Sequence, residues 1–414
     1  MLNSINNIKK MKILVISQYY HPEPGATSYR LRSFVDAMVR RGHKVTVICE
    51  FPNHPTGILH RGDRWKLFRS EKHDSYRIIR TFVLTFARKN NIKRMLFYLS
   101  FSLSSFLAAV CLRKHDIVFS SSPPIFHVFA AMIAARLKGS QFVLDIRDIW
   151  PDTALEVEAI RSGRLLKWGG FLERSLYKNA RTIFTVSKGL KNTVESRGGA
   201  GKTSTIYNGS EKDILEWRGD IDGLRKSQGW TGNIVVCYAG LMGLGQNLTD
   251  ILPEIGRIED NNVKFVFIGD GPGKISLRKE AAGKNLKNVE IRDLMPRLDV
   301  IPFIHSSDIM MVILRESEFF RSAIPSKFFD YMAAGKPIVT NVDGELREIL
   351  EENNAGLYFS LKKKGSFART IDKLKSNPQL RSLMGANGKR IVEEKFLRSK
   401  LGDNQVEIME RSVW

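Results

Sequence analysis

Short apolar runs alternate with amphipathic stretches along nearly the whole chain. KILVISQYY (12–20) reads as a buried strand, and after a loop SYRLRSFVDAMVRRGH (28–43) carries apolar residues at helical spacing. KVTVICE (44–50) is the next strand, with Gly42 before it as a helix stop. DIVFSSSPP (116–124), QFVLDIRDIWP (141–151) and RTIFTVS (181–187) add strands with helical patterns between them. The pattern restarts at NIVVCYAGLM (233–242) and continues through VKFVFIGDGPG (263–273), VEIRDLM (289–295), SDIMMVIL (307–314) and KPIVTNVDG (336–344). Strands alternating with helices predict parallel sheets covered on both faces.

The fold class expected is therefore α/β, with two doubly wound, Rossmann-like domains. A chain of 414 residues exceeds what one core usually serves. The expected division is an N-terminal domain over 1–207, a turn-rich charged linker over 208–232 and a C-terminal domain over 233–392. A closing helical stretch, 393–414, is expected to pack back on the N-terminal domain. Ligands of open parallel sheets bind beyond the carboxyl ends of the strands. Two such domains facing each other would make an interdomain cleft.

Charge changes this picture. Residues 1–200 hold 33 Lys and Arg against 14 Asp and Glu, a balance of +19, while the remainder balances at +3. A basic first half predicts an anionic surface as its partner. Nucleic acid is disfavoured, because no recognition module accompanies the charge. Three scattered cysteines, Cys49, Cys111 and Cys237, lack metal or redox spacing and read as buried thiols of a reducing compartment. MLNSINNIKK lacks the apolar stretch of a signal peptide, and Met11 is a second candidate start. The segment Met95–Leu112 is apolar but holds four serines. It reads first as a buried helix and second as an interfacial or inserted one, with the basic flank Arg88–Arg94 near lipid headgroups.

Several stretches resemble chemical motifs. GGAGKTS (198–204) contains the lysine of a phosphate loop. Ser196 stands where that loop needs glycine, and a helix precedes it where a strand is required, so a helix-to-strand turn is the reading. DID (220–222) has metal-ligand spacing but lies in the polar linker, so a solvated loop is expected; no His or Cys cluster suggests zinc. GLMGLG (240–245) and HPEPGATS (21–28) each follow a strand, and Gly243 and Gly25 would let a phosphate reach bare backbone; a plain tight turn is the alternative for GLMGLG.

IPSKFFDYMAAGKPIVT (324–340) concentrates more chemistry. Pro325 fits the first helical position, leaving the amides of Ser326, Lys327 and Phe328 at the positive end of the helix dipole. Lys327 adds a full charge, and Asp330 lies one turn on. Phosphate on Lys327 and the amides, with a ribose diol on Asp330, is one reading. A capped helix with a Lys327–Asp330 surface pair is the other.

These motifs together resemble the family-4 retaining glycosyltransferases of the GT-B fold, over nearly the whole chain. The branch most similar is that of the N-acetyl-L-fucosamine transferases of bacterial capsule, O-antigen and colanic-acid assembly. The resemblance implies that Asp330 takes the place of the glutamate that binds the donor ribose. The partner glutamate, eight positions earlier, is replaced by Ser322, with Glu316 and Glu318 as the candidate substitutes and no motif match for either. Gln246 stands in place of a phosphate-binding lysine, which shifts weight to Lys327 and Arg321. Arg315 is a further candidate. Arg147 replaces a histidine found beside the reacting sugar in many relatives; a guanidinium stays protonated. That leaves Asp148 as the candidate catalytic carboxylate, with His21 and Arg147 on the acceptor side. A buried Asp145–Arg147 pair with a structural Asp148 is the competing reading.

The activity implied is retaining, metal-independent transfer of a sugar, an N-acetylated amino sugar, from a UDP-sugar to a polyprenyl-diphosphate-linked saccharide. No cofactor is expected. The protein is expected in the cytoplasm, peripheral at the inner face of the plasma membrane. The lost glutamate and lysine keep a second function open, a catalytically inactive sugar-nucleotide binder. A nicotinamide-dependent dehydrogenase is disfavoured, because no G-x-G-x-x-G follows the first strand.

Overall fold

The computed structural model describes residues 9–53, 57–73, 75–86, 91–150, 152 and 163–413. Residues 1–8 of the leader reading, and 88–90 of the basic flank, lie outside them. The chain divides into two compact units, Met1–Tyr207 with Ser399–Trp414, and Asn208–Arg398.

Among the described residues the first unit contains eight strands: β1 (Lys12–Ile16), β2 (Lys44–Glu50), β3 (Phe68–Lys72), β4 (Tyr76–Thr81), β5 (Ile117–Ser122), β6 (Gln141–Ile146), β7 (Thr182–Thr185) and β8 (Thr203–Thr205). Their order is β3-β4-β2-β1-β5-β6-β7-β8, parallel except for the β3–β4 edge pair. Along β1, Ile13 and Val15 join one core cluster while Leu14 and Ile16 join another. Successive side chains of a strand point to opposite faces, so an unbroken apolar run is what a sheet covered on both sides requires.

The second unit contains β9 (Ile234–Ala239), β10 (Val263–Ile268), β11 (Val289–Arg292), β12 (Ile309–Val312), β13 (Ile338–Thr340) and β14 (Gly356–Tyr358). They form an all-parallel sheet in the order β11-β10-β9-β12-β13-β14.

The charged stretch 208–232 is built into the second unit. Arg225 donates to Ser306 O at 2.7 Å and pairs with Asp308 at 3.0 Å, and Trp230 is fully buried against Phe303. The DID triplet is exposed, as expected, but it starts a helix and is not a loop: Asp220 caps the helix Ile221–Ser227, accepting from the Gly223 amide at 2.8 Å. The GKT sequence lies in a turn between the helix Lys188–Val194 and β8, and Lys202 donates to the carbonyls of Lys178 and Ala180.

The last helix, Arg398–Val413, belongs to the first unit from Ser399 onward. Leu401, Val406 and Met409 enter the cluster of Ile13, Val15 and Phe34. Glu410 accepts from Arg41 at 2.6 Å and contacts His43 at 2.8 Å.

Two expectations change. Cys111 is exposed, while Cys49 and Cys237 are buried. The helix Asn91–Cys111 is no core helix: only 28% of its most apolar window is buried, because its leucines face outward and its serines face the protein.

Candidate functional site

In the second unit the chemistry gathers beyond the carboxyl end of β9. The loop 240–247 leaves that strand and packs backbone to backbone on the loop after β10. A Cβ on Gly269 would stand 1.9 Å from Gly240 O, so only glycine allows the approach. The helix Ser326–Ala333 is fixed to the same strand end by Tyr331, whose hydroxyl donates to Ala239 O and accepts from Ala239 N, each at 2.8 Å.

Pro325 is the residue before this helix, not its first position, with extended backbone. Its carbonyl accepts from the Phe328 amide at 3.0 Å, so that amide is not outward-facing as expected. The amides of Ser326 and Lys327 have no carbonyl partner among the described residues, as the first turn of a helix dictates.

Lys327 is half-buried. Its Nζ lies 3.7 Å from the Tyr238 ring centre and donates to the Tyr238 hydroxyl, which in turn donates to Leu241 O at 2.5 Å. A Cβ on Gly240 would lie 3.0 Å from that Nζ, so the glycine makes room for the ammonium. No carboxylate pairs with Lys327 among the described residues. Desolvation pushes its pKa down to about 7.

Asp330 does not pair with Lys327. One carboxylate oxygen accepts from Ser210 Oγ at 2.7 Å and the other faces Arg297 Nη1 at 3.3 Å. Arg297 also holds Asp213, at 2.9 Å. Burial alone would lower the Arg297 pKa, but the carboxylates of Asp330 and Asp213 outweigh it and hold it raised. Both Ser210 and Arg297 were missed by sequence reasoning. Arg297 opens a helix just after the β11 strand end, behind Pro296, and that position was the available signal.

The remaining donor-side candidates disperse. Gly243 and Gln246 meet, but as a closed turn: the Gln246 side-chain carbonyl accepts from the Gly243 amide at 2.9 Å, so that amide is occupied. Glu316 accepts from the Leu361 amide at 3.1 Å, with Lys362 at 3.8 Å. Arg321 is exposed and bound to Glu318 at 3.1 Å and Asp343 at 3.4 Å.

In the first unit, the carboxyl ends of β1, β5 and β6 bring Gly25, Arg147 and Asp145 into one region. Gly25, at φ 132°, precedes the helix Ala26–Arg40 and has open space where a Cβ would stand. Arg147 donates to Thr27 Oγ1, to Ser121 Oγ at 3.1 Å and to Pro123 O at 2.9 Å. It does not pair with Asp145. That carboxylate is held by fully buried Arg30 at 2.8 Å and by Ser121 Oγ at 2.7 Å.

His21 Nδ1 accepts from Arg32 Nη1 at 3.3 Å, and the His21 carbonyl accepts from Arg80 at 2.9 Å. Desolvation and then these cations lower its pKa. Asp148 lines a small hollow with Ile125, Ile146, Trp150 and Glu173. Desolvation raises its carboxyl pKa and Arg147 opposes the rise; the residue itself is exposed, so solvent screens part of the shift. Among the described residues no cluster of His, Cys, Asp and Glu could hold a metal.

Two family profiles match the chain, "Glycosyl transferase 4-like domain" over residues 25–209 and "Glycosyl transferases group 1" over residues 220–391. The glycosyl transferase WcaI of Escherichia coli (strain K12), named for colanic acid biosynthesis, is 25% identical over 82% of this chain and 86% of its own length. The glycosyltransferase WbjE of Pseudomonas aeruginosa is 22% identical over 88% and 89%. Among solved structures, Anabaena HepE in complex with UDP and glucose superposes with a TM-score of 0.72 at 16% identity, covering 97% of this chain and all of that one.

Proposed function

We propose that this chain, whose two domains match glycosyltransferase families and adopt the GT-B fold, binds a UDP-sugar in its second unit through Lys327 and Asp330. The observation that carries this reading is the ammonium of Lys327. It is a half-buried cation without a carboxylate, beside two unpartnered amides at a helix start. Such a position attracts an anion by charge, dipole and hydrogen bonding together. The diphosphate would sit on Lys327 and the amides of Ser326 and Lys327. The ribose diol would reach Asp330, whose carboxylate Ser210 and Arg297 hold in place. HepE, of the same fold, is a structure with UDP and glucose bound.

The first unit would receive the acceptor near His21, Arg147 and Asp148. The acceptor proposed is a polyprenyl-diphosphate-linked saccharide of surface-polysaccharide assembly, in keeping with the colanic acid role in the name of WcaI. In the transfer, an acceptor hydroxyl oxygen bonds to the anomeric carbon as the bond to the UDP oxygen breaks. Retention with no protein base follows if the departing phosphate oxygen takes the acceptor proton. Lys327 and the amides would stabilise charge growing on that oxygen. No step requires a metal.

One observation favours a second reading, a sugar-nucleotide binder without transferase activity. Gln246 offers a carbonyl to Gly243 where the family places a cation, and Ser322 replaces a carboxylate. Calorimetry with UDP and UDP-sugars, run beside a transfer assay on lipid-linked saccharides, separates the two. Donor binding with no transfer to any acceptor favours the binder; no UDP binding at all overturns both.

A further inference from the structure

The helix Asn91–Cys111 is amphipathic in the reverse of the usual sense. Ile92, Leu96, Leu99, Leu103 and Leu107 recur at spacings of three and four and are all exposed, Leu103 at 62% and Leu107 at 54%. Residues so spaced share one face. The opposite face is where the hydroxyls lie. Ser104 Oγ donates to Phe82 O at 2.6 Å, Ser100 Oγ accepts from the Leu84 amide at 2.9 Å, and Ser105 is buried. Phe97 and Phe101 complete that inner face, in a cluster with Phe51, Leu59 and Val83. A helix designed only to cover its own sheet would turn the leucines in and the serines out.

A second exposed apolar group lies at the start of the edge strand β3: Leu67, whose carbonyl accepts from the Phe82 amide at 3.0 Å, Phe68, and Trp65 at 89% exposure. Exposed apolar side chains grouped in this way mark an interaction site. Charge identifies the partner. Lys93 stands at one end of the helix and Arg113 and Lys114 just past the other, all exposed, within a half of the chain that carries a balance of +19. Leucines in a row with cations at both ends, and tryptophan at the margin, match a bilayer interface with anionic headgroups.

We propose that the leucine face of helix Asn91–Cys111, with the Trp65–Phe68 edge, docks on an anionic phospholipid bilayer and lies in its interface. The helix does not cross. Its 20-residue apolar span, Ile92–Cys111, is about 30 Å long and could span a bilayer by length. Crossing, however, would tear the serine hydrogen bonds and the Phe97–Phe101 packing from the first unit. Only the outer face is available to lipid. The proposal is independent of the donor-binding reading.

The test uses the full chain and vesicles of phosphatidylcholine with or without phosphatidylglycerol. The wild type should co-sediment with the phosphatidylglycerol vesicles, less so at high salt. The triple variant Leu99→Ser, Leu103→Ser, Leu107→Ser should partition at least tenfold more weakly with its thermal midpoint undiminished. In a Cys111→Ser background, a polarity-sensitive fluorophore on Leu103→Cys should shift to the blue on the same vesicles. Equal binding by the triple variant would overturn the proposal, as would a wild type that ignores the vesicles. A wild-type dimer that the triple variant converts to monomer would instead assign the face to a second copy of the chain. Should the triple variant fail to fold, the label decides: an unchanged emission maximum refutes docking.

Discussion

The ammonium of Lys327 stands 3.7 Å from the centre of the Tyr238 ring and donates to that residue's hydroxyl. An aromatic face attracts a cation but compensates its lost hydration less fully than a carboxylate would. The lysine is therefore held in wait, its pKa near 7 in the ligand-free protein.

A diphosphate bound there would draw the proton back. At pH 8, UDP binding should be accompanied by net proton uptake, approaching one proton per site. At pH 6, where Lys327 is already charged, the uptake from this group should be small. Calorimetry in buffers of different ionisation enthalpy measures it directly. The sign for stability follows from the same shift. Below about pH 7 the free protein carries a buried charge that the unfolded chain solvates fully. That penalty is relieved as pH rises from 7 toward the ordinary lysine value. An uptake that is equal at both pH values would dissociate Lys327 from the phosphate.

Removing the charge should weaken the donor more than the fold. Lys327→Met should lose roughly 1.5–3 kcal/mol of UDP affinity, the usual contribution of a charged hydrogen bond, or about tenfold to somewhat over a hundredfold in Kd. Its ligand-free thermal midpoint should hold or rise, because a costly buried ammonium has gone. An unaltered Kd would place the diphosphate elsewhere.

Asp330 is expected to report on the ribose specifically. Wild-type protein should prefer UDP over 2′-deoxy-UDP, and Asp330→Asn should shrink that preference to near unity. Arg297→Met should reduce it in part, since one oxygen of Asp330 loses its partner at 3.3 Å while Ser210 still holds the other. A double-mutant cycle over Asp330 and the 2′-hydroxyl isolates this coupling. If both variants discriminate as the wild type does, the carboxylate only braces the second unit.

Arg30 and Asp145 make the opposite kind of site, one that should matter to folding. The pair is fully buried, and Ser121, Tyr207 O and the Phe34 ring satisfy what it leaves over. Breaking it strands a buried charge, so Arg30→Met should cost about 3–5 kcal/mol, read from denaturant unfolding of the first unit. A replacement of both residues by apolar ones should recover much of that loss. A loss below about 1 kcal/mol for the single variant would mean that water reaches Asp145.

The fold was legible because each strand is an apolar run that a parallel sheet must bury on both sides, as Ile13 to Ile16 show. Periodicity also found the helix Asn91–Cys111 but could not orient it. Serine and leucine alternate there at spacings that fit either face, and only the hydrogen bonds of Ser100 and Ser104 decide which is inner. At the candidate site, the sequence could show which charges cluster but not which partner each takes. Asp145 chose Arg30 over its near neighbour Arg147, and Asp330 chose Arg297 and Ser210 over Lys327. Pairings of that kind join residues 33, 115 and 120 positions apart. No local pattern encodes them. Gln246 is the subtler case: its identity marked a departure from the family, but not that its carbonyl would occupy the Gly243 amide.

The return of the chain to the first unit at Ser399 has a consequence for its biogenesis. A ribosome releases both sheets before it has made Leu401, Val406 and Met409, so the earlier unit waits, with its hydrophobic seat for them bare, while the later one matures. Nonsense mutations late in the reading frame should therefore injure the half that was translated first. Limited proteolysis of chains stopped before residue 399 should cut within Met1–Tyr207 and spare Asn208–Arg398.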